Sequence, residues 1–320
     1  MGISKVYYIE SKSHDPYYNL ALEEKLLEVC NENDLIFYLW QNDNTVVIGK
    51  NQSAFKECNI NAMNKDNVKL ARRLSGGGAV YHDLGNLNFT FIMHRQNYDL
   101  NRQLTVIKEA LNKHGAYAYF SGRNDILIGD KKISGNAFYL TNDISYHHGT
   151  ILLNSNLNNL SKYLKVSKSK LEANGVDSIR SRVENISKFV KDLDIETLKK
   201  DLKESVVEVF WLPIENLEIN EVNLEKYSDP KWLYRKEVES NYEIINKFPW
   251  GEINIKFIIE NNTITKVSVF SDSMDIGISD KLEKILLNKK FDYSIIDEIK
   301  ELDDPNKNDL ISLFTEILSD

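Results

Sequence analysis

Residues Arg72–Phe91 read RRLSGGGAVYHDLGNLNFTF. The stretch opens at the end of Val68–Arg72, which reads as a strand, and passes through Ser75-Gly76-Gly77-Gly78. Ala79–His82 is strand-like again, Asp83–Asn86 is a turn, and Leu87–Met93 is a longer strand. Three glycines in a row leave backbone N–H groups uncovered, so a phosphate or a ligand backbone can come close. Arg72 and Arg73 beside them supply charge for a carboxylate or phosphate. Taken alone, such a run is more often a tight turn between strands. Two nucleotide motifs are excluded. No Lys-Ser/Thr follows the glycines, and the dinucleotide-binding spacing needs glycine where Tyr81 stands. The glycines also lead into a strand, so whatever they hold is held without a helix dipole.

Upstream, Val6–Ile9 reads as a strand and Asn19–Cys30 as a helix with Leu20, Leu22, Leu26, Leu27 and Val29 on its apolar face. Leu35–Trp40 and Thr45–Ile48 read as a hairpin across the polar turn Gln41–Asn44. Downstream, Leu104–His114, Leu157–Leu164 and Ile195–Phe210 read as helices. Ala116–Phe120, Asp125–Ile128, Lys132–Tyr139 and Ser145–Leu153 read as strands, with a turn at Gly129-Asp130. Strands dominate without regular β–α alternation, so the expected class is α+β and not doubly wound α/β. Ser167–Asn185 is polar and long for a connection, and such loops are usually functional or disordered.

A chain of 320 residues suggests two domains. The division is expected near Asn241–Trp250, giving a large domain over 1–245 and a small α+β domain over 246–320. The small one holds strands at Ile253–Glu260 and Thr263–Phe270, joined at Asn261-Asn262, then helices at Asp280–Leu287, Tyr293–Leu302 and Leu310–Ile317. From Asn246 onward there are 9 basic and 15 acidic residues, so most of the net charge of −8 lies there. That balance gives no basic stripe for a nucleic acid. The longest apolar run, Leu35–Trp40, is far short of the ~20 residues that span a bilayer. No signal or transit segment is visible, and a cytoplasmic monomer is expected. Two cysteines, Cys30 and Cys58, make neither a disulfide framework nor a CxxC metal site.

Two further segments carry chemistry. Lys131-Lys132-Ile133-Ser134-Gly135 lies in a strand, where neighbouring lysines face opposite ways. The inward one, beside Ser-Gly, could hold an α-phosphate; two solvated lysines at a hairpin end is the plainer reading. Tyr146-His147-His148-Gly149-Thr150 also lies in a strand, so its histidines do not share a metal; one lines a pocket and the other is expected at the surface. No metal site is expected.

Together these segments resemble the lipoate–protein ligase family. The resemblance is carried by RRLSGGGAVYHDLGNLNFTF, SGRNDI at Ser121–Ile126, KKISGNAF at Lys131–Phe138, HHGTILL at His147–Leu153 and GVDSIRSRVENI at Gly175–Ile186. DPYYNLALEE at Asp15–Glu24 and TVVIGKNQ at Thr45–Gln52 fit as well. It is close over about residues 5–190 and collinear to the end. It implies a large mixed-sheet domain of the biotin/lipoate ligase type with a small accessory domain. It implies ATP and lipoate as substrates, with Mg²⁺ accompanying ATP. Lipoate becomes lipoyl-AMP, and the lipoyl group passes to a lysine of acceptor proteins: lipoyl domains of 2-oxoacid dehydrogenase E2 subunits and the glycine-cleavage H protein.

The resemblance also assigns residues. Lys132 would be the catalytic lysine, touching α-phosphate and acyl carbonyl. ATP would meet Arg73, Gly78, Ala79, Val80, Tyr81, Asn88, Asp125, Lys132, Ser178 and Arg180. Lipoate would meet Trp40, Arg73, Ser75, Gly76, Gly77, Lys132, Ser134, Gly135, His148, Gly149 and Thr150. One segment departs from the pattern. Many members carry Trp-x-Trp-Asn-Phe/Tyr-Gly before the accessory domain, whereas this chain has Trp232-Leu233-Tyr234-Arg235-Lys236, which puts the docking of that domain in doubt. Three rivals remain. An ATP-independent octanoyl or lipoyl transferase working through a thioester needs a pocket cysteine, and neither cysteine lies in a matching motif. A biotin–protein ligase has a different signature loop. A non-catalytic lipoyl-binding regulator would be expected to have lost at least one of Arg73, the glycines, Asp125 and Lys132.

Overall fold

The computed structural model describes residues 2–121, 124–165 and 182–319. Ser178, Arg180 and most of the Gly175–Ile186 segment lie outside the described residues. The class is α+β. An eight-stranded sheet runs in the order β11 (Ile214–Asn216), β1 (Lys5–Glu10), β2 (Asp34–Trp40), β6 (Asn86–His94), β10 (Ile144–Leu152), β9 (Lys131–Leu140), β8 (Asp125–Ile128), β7 (Ala118–Ser121). β1 is parallel to both its neighbours, and the other pairings are antiparallel.

Strand alternation divides the sheet into two faces. Leu35, Phe37 and Leu39 of β2 point one way with Leu87, Phe89 and Phe91 of β6, into the core under the helices Leu100–Asn112 and Ile195–Phe210. Ile36, Tyr38 and Trp40 point the other way with Ile92 and Tyr146, against the helix Pro16–Val29. That helix starts where Asp15 caps the N–H groups of Tyr17 and Tyr18 and Pro16 takes the first turn.

The expected β2–β3 hairpin does not form. β3 (Thr45–Ile48) sits instead at the centre of a separate three-stranded sheet, between β4 (Lys69–Arg72), parallel, and β5 (Val80–His82), antiparallel. The reason lies in β2: it is already paired on both edges, with β1 and β6, so no edge remains for β3. The chain therefore steps from one sheet to the other at Gln41–Asn44, and Gln41 and Asn42 are buried there.

The later part holds one strand more than expected. β12 (Tyr242–Phe248) occupies the stretch read as a boundary and spans 245/246. It pairs with β13 (Gly251–Glu260), which pairs with β14 (Thr263–Ser271). β12 is an edge strand with mostly exposed or half-buried side chains, which hides it from a hydrophobicity reading. Asn261 and Asn262 both have positive φ, 49° and 60°, the geometry of a tight hairpin turn. Helices Ile278–Leu286, Ser294–Lys300 and Lys307–Ser319 close a second core around Phe257, Val269, Leu282 and Phe314.

The Trp232–Lys236 segment docks despite its altered pattern. Arg72 is fully buried and donates to five backbone carbonyls, those of Trp232, Leu233, Gly49, Lys50 and Gln52, at 2.7–3.2 Å. Trp232 Nε1 returns a bond to the Arg72 carbonyl at 3.0 Å. Arg235 then bridges the two parts, bonding Asn51 Oδ1 at 3.2 Å and pairing with Glu283 and Asp280 at 3.4 and 3.5 Å.

Candidate active site

The register of β2, β6 and β10 lays out the site floor. Trp40 pairs with Asn88, and Asn88 with Thr150; in the next row Tyr38 pairs with Thr90, and Thr90 with His148. These side chains share the face that carries the helix Pro16–Val29 and the small sheet. His147 alternates to the opposite face. It is not at the surface, as the sequence suggested, but fully buried against Phe89, Phe91 and Phe138. Burial pushes its pKa down to about 3. Gly149 is demanded by packing: an added Cβ would lie 2.5 Å from Asn136 Oδ1 and from the Phe89 ring.

Above this floor stands the glycine loop between β4 and β5. Arg73 shapes it from below. Its Nε donates to Ser75 Oγ at 2.9 Å, and its two terminal nitrogens donate to the carbonyls of Val47, Gly76 and Gly78 at 3.2, 2.6 and 2.8 Å. Burial draws its pKa down to about 10. Ser75 Oγ also lies 2.8 Å from His148 Nε2. The three glycines face different surroundings. The Gly77 N–H donates to the carbonyl of Ser273, just after β14, at 3.0 Å. A Cβ at Gly76 would stand 2.3 Å from that carbonyl, whereas Gly78 has nothing within 4 Å. A ligand approaching Gly76 from that side has to displace Ser273 and Met274.

A second cluster surrounds Lys132. Its Nζ lies 2.7 Å from Asp125 Oδ1, and Arg182 reaches Asp125 Oδ2 at 3.0 Å. The pairing of β8 and β9 shifts by one residue between Ile126 and Leu127, and Ile133 is the extra residue. The bulge breaks the alternation, and Lys132 lies over Gly135, whose added Cβ would be 3.2 Å from Nζ. The Gly135 N–H donates to Thr150 Oγ1 at 3.1 Å, tying this cluster to the row of Asn88 and Trp40. Asn88 is buried, and its Nδ2 has no partner, a donor available to an acceptor entering that row. Ser134 is buried beside Asn136.

One expected residue turns elsewhere through its side chain. Tyr81 points away from Val80 and His82, its ring against Tyr163 and its hydroxyl between Asn44 and Asn159. Only its backbone, like that of Ala79, is left for a ligand. Sequence reasoning missed three others. His82 is buried 6.1 Å from the Trp40 ring, held by Asn42 at Nδ1 with Nε2 unpartnered. Burial, with Arg73 nearby, drives its pKa down to about 3. Thr90 and Glu23 meet under His148. Two-residue alternation across Val80–His82, and helical spacing from Asn19 to Glu23, were the available signals. Cys30 and Cys58 are both buried, and burial pushes each thiol up to about 12. Among the described residues no His, Cys, Asp or Glu cluster is arranged to hold a metal ion.

Fold and site together define a catalytic domain of the lipoyl protein ligase A/B kind carrying a bacterial lipoate protein ligase C-terminal domain: family models of these descriptions match residues 15–207 and 237–314. A lipoate-protein ligase A of Psychrobacter cryohalolentis is 40% identical over 303 residues, covering 90% of this chain and 89% of the relative. The chain belongs to the lipoate–protein ligase family, and it is a ligase. Among solved structures, P. falciparum LipL1 in complex with lipoate matches with a TM-score of 0.85 at 30% identity, covering 100% of both chains. A lipoate-protein ligase A bound with ATP matches with a TM-score of 0.62 at 26% identity, over 72% of this chain and 98% of the other. One component of a bipartite lipoate protein ligase system from Thermoplasma acidophilum, described with its E2 lipoyl domain, matches with a TM-score of 0.64 at 29% identity, over 74% and 100%.

Proposed function

We propose that the chain activates lipoate with ATP and transfers the lipoyl group to a lysine of lipoyl-domain proteins. The observation that carries the mechanism is the Lys132–Asp125 pair lying over Gly135 at the end of the Trp40–Asn88–Thr150 row. In the first step the lipoate carboxylate attacks the α-phosphorus. A new P–O bond forms, the bond to pyrophosphate breaks, and lipoyl-AMP remains. Negative charge gathers on the α-phosphate oxygens, and a placed cation lowers that barrier. Lys132 supplies it by leaving Asp125 for the phosphate; Arg182 keeps Asp125 neutralised meanwhile. The Asn88 amide, the Gly78 N–H and the backbone of Ala79, Val80 and Tyr81 offer further donors. The apolar part of lipoate runs beside Trp40 and His148 under the glycine loop, near Ser75, Gly76, Gly77, Ser134, Gly135, Gly149 and Thr150. Ser178 and Arg180 belong to the adenylate side of this reading. In the second step an acceptor lysine amine attacks the lipoyl carbonyl, an amide forms and AMP leaves.

Mg²⁺ enters this reading with ATP. Asp125 already faces two cations, so the protein offers it no carboxylate there, and no step is assigned to it. Support for lipoate and ATP as substrates comes from the similar structures that hold them. Support for E2 lipoyl domains comes from the archaeal system; the glycine-cleavage H protein is an acceptor of the same kind. A thioester-forming transferase is disfavoured by two buried thiols held far above neutral pH. No helix among the described residues is long and apolar enough to cross a membrane, and we place the enzyme in the cytoplasm as a monomer.

The test is intact-mass measurement of an apo E2 lipoyl domain incubated with enzyme and lipoate. Full modification with ATP and none without it supports the reading. Modification from an acyl-carrier donor in the absence of ATP supports the transferase instead.

A further inference from the structure

Glu23 sits one helical turn after Asn19, on the face of Pro16–Val29 that meets the sheet, and is 1% exposed. A carboxylate out of water requires donors. Glu23 has two on Oε1: the Thr90 hydroxyl at 2.7 Å and His148 Nδ1 at 2.8 Å. Thr90 in turn accepts from Trp40 Nε1 at 3.0 Å.

Donor and acceptor rules fix the two ends of the cluster. A carboxylate only accepts, so the His148 proton is on Nδ1. A guanidinium only donates, so Ser75 Oγ receives the Arg73 Nε–H. Ser75 Oγ, with a lone pair and its hydrogen still available, bonds to His148 Nε2 at 2.8 Å. One chain runs Arg73 to Ser75 to His148 to Glu23, with contacts of 2.9, 2.8 and 2.8 Å. Its other end is the glycine loop, because Arg73 also holds the carbonyls of Gly76 and Gly78. Arg73 has no ion pair among the described residues, and Glu23 is the carboxylate whose field supports its charge.

We propose that Glu23 is a positioning residue for the glycine loop: it orients His148, and through His148 and Ser75 it holds Arg73 on the loop carbonyls. The inference rests on the lipoate and ATP reading of that loop. It predicts a coupling between residues that do not touch. Glu23 and Ser75 act in series, so losing either breaks the same chain.

The experiment is a double-mutant cycle on lipoate-dependent ATP–pyrophosphate exchange with Glu23→Ala, Ser75→Ala and the pair. Each single variant is expected to lower kcat/KM by about 10–100-fold, the scale of a misplaced site. The double variant is expected to be no worse than the poorer single. Glu23→Gln keeps an acceptor oxygen for Thr90 and His148, and is expected to regain most of the activity and the wild-type melting temperature. If Glu23→Ala does not fold, Glu23→Leu, which fills similar volume without an acceptor, takes its place in the cycle. Losses that multiply in the cycle, or wild-type kinetics in Glu23→Ala, overturn the inference. Wild-type protein without lipoate-dependent exchange overturns the functional reading itself, a separate outcome.

Discussion

The catalytic unit carries two polar clusters that meet water differently. Around Lys132 the side chains of Lys132, Asp125 and Arg182 are 27%, 11% and 60% exposed. Around Glu23 the side chains of Glu23 and His148 are 2% and 8% exposed. An ion pair open to water contributes about 0–1 kcal/mol. Removing a partner from a buried hydrogen-bonded group costs about 1–3 kcal/mol, and more where the group left behind is charged. The first cluster, whose Lys132 and Arg182 are partly open to water, can exchange its contacts at lower cost than the second. The second is suited to holding a shape. On the proposed reading, reactivity and rigidity fall in different parts of one sheet face, joined by the Trp40–Asn88–Thr150 row.

That contrast can be broken by experiment. Asp125→Ala is expected to cut exchange activity about a hundredfold while costing about 1–3 kcal/mol of stability, since Asp125 is buried but its partners are partly open to water. Arg73→Ala is expected to cost activity and also about 3–5 kcal/mol, because loop carbonyls are left unpaired and a buried volume is emptied. Kinetics and urea unfolding of both variants check this; equal stability losses would erase the distinction.

The glycines sharpen it further. Gly76→Ala drives a methyl into the Ser273 carbonyl and is expected to cost about 1–3 kcal/mol and loosen the contact between the two parts, read by melting temperature and limited proteolysis. Gly78→Ala meets nothing within 4 Å and is expected within about 0.5 kcal/mol of wild type.

Acid reads the buried side. His82 and His147 are held neutral, with pKa near 3 in the folded state. Unfolded, each titrates near 6.5. Between these values the unfolded chain binds more protons, so this contribution to stability is present above about pH 6.5 and is lost as pH falls toward 3. His147→Gln is expected to flatten that slope by up to one proton. The smallest effect is none at all. With both thiols near 12, iodoacetamide at pH 7.5 is expected to leave Cys30, Cys58 and the activity untouched.

Much of the proposed site was legible in the sequence where its residues form a local run. RRLSGGG, KKISG and HHGT each put their chemistry in consecutive residues, and a strand period of two separates His147 from His148. What was not legible depends on pairing between distant segments. Glu23 looked like one charge on an amphipathic helix until the sheet placed Thr90 and His148 beneath it. The β2–β3 hairpin failed because β6, more than forty residues on, takes the edge that β3 needed. β12 escaped because an exposed edge strand carries little apolar signal. The departure at Trp232–Lys236 looked like a weakened contact, yet Arg72 holds that backbone through carbonyls, which any side-chain sequence supplies.

The central claim is that Lys132 serves the adenylating step. It is tested most directly by lipoate-dependent ATP–pyrophosphate exchange with wild-type and Lys132→Ala proteins, without acceptor. The account predicts exchange that requires lipoate in the wild type, and a loss of at least about a thousandfold in the variant at an unchanged melting temperature. Near-normal exchange by folded Lys132→Ala would contradict it.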